Sequence, residues 1–281
     1  MGTVEDGTEG AVQQMHDICA LPLVRRLAAM LDRDPTALRD GDPLPRGWHV
    51  ALFTVPTRQS ELRGDGLAGL GVTLPELGLP RIMAGGKRTR FDGGIPIGAP
   101  VRRASRVAAV TPKQGRSGRF AVVGIEHEIF VGGGARPVLT ERQDYVMLAE
   151  QPPGSGPASV PQPPSERTHA DAERVLVPDE ALLLRYCAIT FNTHRIHYDL
   201  PYATQRERYP ALVVNGGLPV AFLLELFRAE AGREPASIAI RNIAPLFCSR
   251  PMRLCAVRGA VEWRLWAEDD AGRVAVEVLA G

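Results

Sequence analysis

One stretch constrains this chain more than any other. Gln151 to Glu166 reads QPPGSGPASVPQPPSE. A run so rich in Pro, Ser and Gly cannot bury a core, and predicts an exposed, semi-extended linker. With its flank it divides the 281 residues into a first part, 1–150, a linker, 151–174, and a second part, 175–281. Each part is of ordinary domain size.

The periodicity on the two sides differs. In the first part Leu21, Val24, Leu27, Ala28 and Leu31 recur at helical spacing, and Asp34-Pro35 ends the run. Val101 to Thr111 and Arg119 to Phe130 then read as strands across a turn at residues 113–118, with Tyr145 to Ala149 as a further strand. The second part opens with a helix over Asp179 to Tyr186. Ala211 to Val214 is a short apolar strand candidate that runs through Asn215-Gly216-Gly217 into a helix over Leu218 to Ala229. There Val220, Leu223, Leu224 and Phe227 give a helix face for a core. Ile238 to Ile240, Met252 to Val257, Ala260 to Trp266 and Val274 to Leu279 alternate as strands of an antiparallel sheet. One buried helix followed by strands is an α+β pattern, not a series of alternating βα units.

Bulk properties exclude more than they assign. Charged residues make up 23 % and the formal net charge is +1, so nothing marks a general nucleic-acid binder. Of the 33 basic residues only Lys87 and Lys113 are lysine. Cys19, Cys187, Cys248 and Cys255 lack the spacing of a metal knuckle or redox motif and read as reduced thiols. The polar start MGTVEDGTEG has no apolar signal core after it, and no run is long enough to span a bilayer. The expectation is a soluble, cytoplasmic protein.

Three motifs bear on chemistry. Gly64-Asp65-Gly66-Leu67-Ala68-Gly69 matches G-x-G-x-x-G, but no strand leads in and Pro75 and Pro80 follow, so a plain glycine-rich loop is the better reading. His194, His197 and Asp199 in HRIHYD have the spacing of a metal half-site, yet no third strong ligand is evident, and no metal is expected. The histidines read better as acid–base groups, since imidazole is poised near neutrality. An exposed loop with incidental histidines is the alternative. The junction Val214-Asn215-Gly216-Gly217-Leu218 would expose backbone N–H groups at a helix start, where glycine permits close approach and an enolate oxygen could be stabilised.

At these residues the chain resembles a known family. FNTHRIHYDLPYAT (191–204) followed by YPALVVNGGLPVAFLLEL (209–226) is similar to the MaoC-like hydratases and dehydratases. The narrower likeness is to the hydroxyacyl-thioester dehydratase type 2 branch, which includes itaconyl-CoA and mesaconyl-CoA hydratases. The likeness extends to Trp48–Leu62, Leu79–Phe91, Val101–Ile129 and Arg241–Cys255. It implies a double hotdog, two tandem units that each wrap a curved antiparallel sheet around a helix. In that scheme the second unit is catalytic, while the first has lost its site and shapes the pocket.

The resemblance also implies a reaction: hydro-lyase chemistry across C2–C3 of a short acyl-CoA, of the itaconyl-CoA or mesaconyl-CoA hydratase kind. His197 would be the general base, Asn192 would orient the water, and the Gly216 N–H would bind the thioester oxygen. His194, Arg195, Tyr198, Asp199, Asn215, Gly217, Leu218 and Arg241 are the accompanying substrate-binding candidates; Asp199 is considered for orienting the loop or an imidazole, and Arg195 and Arg241 for a substrate carboxylate or CoA phosphates, with surface solvation the commoner role for any one arginine. No cofactor is implied beyond the CoA or phosphopantetheine arm of the substrate. Relatives usually read His-Gly-Pro-Leu where this chain has Asn215-Gly216-Gly217-Leu218, which touches substrate choice first. Two alternatives stay open: a 3-hydroxyacyl-carrier-protein dehydratase, and a non-catalytic subunit that binds an acyl thioester. Neither nucleic acid nor membrane is expected as a partner; a homodimer or higher homo-oligomer is left open.

Overall fold

The stripe Val220, Leu223, Leu224 and Phe227 does lie on a helix, Gly217–Ala231. Pro219 sits in its first turn, where a missing N–H costs nothing, and Gly232 ends it at φ +63°. Burial is broader than one stripe, because Leu218, Ala221 and Leu226 are buried too. The helix packs on the strands of the second part on one side, and Gly47 and Trp48 of the first part close on Leu224 and Glu225. A helix covered from both sides needs no polar face.

The computed structural model describes residues 11–115, 118–150 and 169–281. In chain order its strands are β1 (Gln13–Ile18), β2 (Arg81–Phe91), β3 (Pro100–Gly115), β4 (Gly118–Val131), β5 (Leu139–Leu148), β6 (Ala172–Leu176), β7 (Ser237–Asn242), β8 (Met252–Arg258), β9 (Trp263–Glu268) and β10 (Val274–Ala280). Its α-helices are α1 (Leu21–Met30), α2 (Glu180–Thr190) and α3, the helix above.

All ten strands form one sheet in the order β1-β3-β4-β5-β2-β7-β10-β9-β8-β6, with every pairing antiparallel. The order 1-3-4-5-2 in one half recurs as 6-8-9-10-7 in the other. The halves meet at β2 and β7, in register from Gly86↔Arg241 to Arg90↔Ser237. This is the repeated antiparallel architecture that the resemblance implied.

Several expectations need correction. Only the second half wraps its sheet around a long helix. Between β1 and β2, α1 packs on α2, and the rest is loops with 3-10 turns at Pro35–Ala37, Trp48–Ala51 and Gln59–Glu61. Pro43, Pro45, Pro56, Pro75 and Pro80 break any helix there. Ala211 to Val214 is no strand; it makes one bridge, Val213 with Phe247. The Val213 N–H bonds Ile196 and the Val214 N–H bonds Leu246, so two different segments share what one ladder would need. β6 begins inside the stretch expected as linker, while residues 151–166 lie outside the described residues. β1 and β2 carry no alternation that announced them; β2 shifts register across Gly85-Gly86. Among the described residues no helix is long and apolar enough to cross a membrane.

The missing helix has a consequence inside the first half. Where α3 fills the second half with Leu223, Leu224 and Phe227, the inner face of β2–β5 presents Thr89, Ser105, His127, Glu141 and Gln143, all nearly or fully buried.

Candidate active site

α2 stops because Phe191 turns left-handed (φ 50°) and returns its N–H to the Cys187 carbonyl. The chain then folds on itself. Asn192 Oδ1 accepts the His194 N–H at 3.0 Å, an Asx-type turn that leads into a 3-10 turn over Arg195–His197. Two contacts tie this turn to the segment before α3. The Val213 N–H donates to the Ile196 carbonyl, and His197 Nδ1 lies 2.7 Å from the Val213 carbonyl.

That second contact decides the tautomer of His197. A carbonyl only accepts, so Nδ1 must carry the proton and Nε2 the lone pair. Nε2 has no hydrogen-bond partner among the described residues. Burial lowers the pKa of His197 to about 4, with the Val213 carbonyl pulling upward and His194 adding to the depression. The imidazole is therefore neutral at physiological pH, with its basic nitrogen available. His194 stands edge-on to it, ring centroids 5.6 Å apart, and is itself lowered by burial against the pull of Asp65 and Glu207.

The other candidates mostly build the loop. Arg195 pairs with Asp199 at 2.8 Å and lies over the Tyr202 ring at 4.1 Å. Asp199 accepts the Tyr202 N–H as well, so it organises the turn and touches neither imidazole. Tyr198 is half exposed, its hydroxyl donating to the Thr193 carbonyl. Arg241 pairs with Glu277 across the sheet and is 73 % exposed. Neither arginine has its charge free for a buried carboxylate. The glycine-rich motif works as a brace. The Arg195 N–H donates to the Asp65 carbonyl, Thr193 Oγ1 donates to the Gly66 carbonyl, and Gly66 (φ +80°) leaves no room for a Cβ beside the Thr193 carbonyl.

At the start of α3, Asn215 Oδ1 accepts the Gly217 N–H at 3.1 Å, and the Leu218 N–H returns to the Asn215 carbonyl. Asn215 thus forms an Asx-type turn just before the N-cap, Gly216, and Leu218 is a core residue. The Gly216 N–H has no partner among the described residues. A Cβ on Gly217 would meet the Tyr186 hydroxyl, so glycine there is a packing requirement.

A cavity of about 240 Å³ opens on this loop. Asn192 and Thr193 border it from the second half; His49, Lys87, Arg103, His127, Glu141 and Gln143 border it from the first. Of the residues expected in the site, Asn192 alone lines it; His197 and Gly216 do not. Sequence reading missed the first-half group altogether. The only signal for it was polar residues at alternate positions within strands, as in Arg103 and Ser105 on β3.

The hydroxyacyl-thioester dehydratase type 2 family model matches residues 47–248. This chain belongs to that family. As a hydroxyacyl-thioester dehydratase type 2 protein, it is 38 % identical over 247 residues to the mesaconyl-C(4)-CoA hydratase of Chloroflexus aurantiacus, covering 88 % of this chain and 86 % of that protein. HtdX of Mycobacterium tuberculosis shares the fold with a TM-score of 0.66 at 16 % identity, over 96 % of this chain and 99 % of HtdX. A double-hotdog protein of Mycobacterium tuberculosis gives 0.56 at 14 % identity, over 97 % and 95 %. The fold is the double hotdog, with the first unit's central helix reduced to a 3-10 turn.

Two buried histidines are expected to make this hydroxyacyl-thioester dehydratase type 2 protein less stable in acid. His127 joins His197 in having a pKa lowered to about 4, chiefly by burial. An unfolded imidazole binds a proton at about 6.5, so between pH 6.5 and 4 the unfolded chain holds more protons than the folded one. Stability is therefore expected to fall as pH drops through that window and to flatten, as far as these two groups go, below it. The full loss is on the order of 3–4 kcal/mol per histidine. Urea unfolding at pH 7 and pH 4.5 measures it; equal stability at both would contradict the burial of the two rings.

Proposed function

We propose that this protein is a hydratase of a short, dicarboxylic acyl-CoA, working on the thioester without a cofactor. The supporting observation is His197, a buried imidazole whose proton is fixed on Nδ1 by the Val213 carbonyl. Nε2 takes a proton from water held by the Asn192 amide N–H, and the oxygen of that water bonds to C3. The C2–C3 π electrons move toward the thioester, whose oxygen gains enolate charge opposite the Gly216 N–H. The imidazolium then returns its proton to C2, which completes the addition and restores the base.

In this reading the second half, β6 to β10 with α2 and α3, carries the chemistry, and the first half, β1 to β5, walls the acyl pocket. The cytoplasm is the compartment in which its CoA ester would be met. The likeness to a mesaconyl-C(4)-CoA hydratase favours the free CoA ester over a carrier protein. The purified protein should consume the enoyl absorbance of mesaconyl-C4-CoA, and turn over the same acyl group on acyl carrier protein far more slowly. Turnover confined to the carrier-bound ester would establish the biosynthetic alternative. Tight binding with no turnover of either would establish the non-catalytic one.

A further inference from the structure

The inner face of β2–β5 carries more positive charge than it neutralises. Three formal charges border the cavity: Lys87, Arg103 and Glu141. Glu141 is already satisfied, with Lys87 Nζ at 3.0 Å, His49 Nε2 at 3.0 Å and Thr89 Oγ1 at 2.8 Å. That leaves Arg103. Its guanidinium faces the Phe53 ring at 5.3 Å, and Nη2 meets only the Met15 sulfur, at 3.0 Å. Its Nε is buried with no hydrogen-bond partner, and Arg103 has no ion pair among the described residues. Other arginines of the chain show the contrast: Arg195 has Asp199, Arg241 has Glu277 and Arg253 has Glu268.

A buried guanidinium is costly without an anion, and a planar fork suits a carboxylate best. The cavity that Arg103 borders is the one Asn192 and Thr193 border, so it begins at the loop that carries the base. At about 240 Å³ it is smaller than sites for drug-sized ligands, which run to roughly 300–1,000 Å³, and fits an acyl group of a few carbons.

We propose that Arg103 is the specificity-determining residue of the acyl pocket: it receives the distal carboxylate of the substrate and selects dicarboxylic acyl thioesters over unsubstituted ones. This rests on the hydratase reading above and supplies what that reading lacked, a group for the second carboxylate. The fixed Lys87–Glu141 pair makes the rest of the pocket neutral, so one negative charge is accepted and a second is not.

The test compares the parent with Arg103→Met, which keeps the aliphatic stem, and Arg103→Gln, which keeps a donor. Mesaconyl-C4-CoA and crotonyl-CoA are the substrates, alike in the CoA arm and the enoyl thioester; crotonyl-CoA lacks the carboxylate and the branch at C3. Losing a hydrogen bond to a charged group should lower kcat/KM for mesaconyl-C4-CoA about 10- to 100-fold. Crotonyl-CoA should be unaffected or improved. A like fall for both thioesters in folded protein, or no fall for either, would overturn the proposal. Calorimetry separates it from the hydratase reading, since succinyl-CoA and butyryl-CoA bind without needing turnover. The parent should prefer succinyl-CoA and both variants should lose that preference. If the preference appears without any turnover, the subsite stands and the hydratase reading falls. If the parent shows no preference, the subsite falls whatever the turnover.

Discussion

His197→Asn is expected to lower the hydration rate by about 10²–10⁴-fold while leaving the protein folded. The replacement is chosen from the geometry. Asparagine places an amide N–H near the position of Nδ1, so the Val213 carbonyl keeps a donor. Alanine would leave that carbonyl unpaired at a cost of about 1–3 kcal/mol and confuse a loss of chemistry with a loss of structure. What asparagine cannot replace is Nε2, the lone pair that takes the proton from water. The readout is kcat at saturating substrate beside the urea midpoint. Near-parental turnover in folded His197→Asn would remove His197 as the base and leave the loop without an acid–base group of settled tautomer.

The elements that could be read from sequence were those whose period survived to the structure. α3, the β3–β4 pair and β8 to β10 bury what their alternation or helical spacing marked. β2 was hidden by Gly85-Gly86 and by four basic residues among its eleven. The turn at Arg195–His197 was legible because His194 and His197 are close in sequence and sit beside a glycine-marked helix start. The opposite wall was not. Arg103 and Arg102 look alike in VRRASRV, and a charged residue on a strand is ordinarily a solvated one. The pleat of β3 puts Arg103 on the face of the buried Val101 and Ser105, and only loops and short helices from the proline-rich stretch before β2 cover that face. Arg241, considered for a substrate carboxylate, is instead exposed and paired with Glu277. The sheet face that looks exposed from local pattern is enclosed by tertiary structure, and the residue near the motif is at the surface.

The largest effect on stability is expected at Glu141, where function and folding compete for the same charges. Burial alone would raise the pKa of this carboxyl, but Lys87 and the bond to His49 hold it well below the ordinary value, so it is ionised. Glu141→Ala removes the anion and strands Lys87 Nζ, which is only 22 % exposed, beside Arg103 in the same cavity. Breaking a buried pair from one side costs about 3–5 kcal/mol, because the surviving charge stays desolvated. Replacing both partners is a different perturbation. Lys87→Met with Glu141→Leu leaves no orphan charge, and apolar replacement of a buried pair is often neutral or stabilising. The double variant should therefore recover most of the stability that Glu141→Ala loses, as urea unfolding would show. If Glu141→Ala unfolds at the parental midpoint, Lys87 has found water or another anion, and the pair does not hold the wall. If the double variant is as weak as the single, Glu141 matters through His49 and Thr89 instead, whose bonds to it at 3.0 and 2.8 Å are lost in both variants. In the recovered variant Arg103 is the last charge in the cavity. Its preference for a carboxylate should persist there, since the Lys87–Glu141 pair contributes no net charge to the choice.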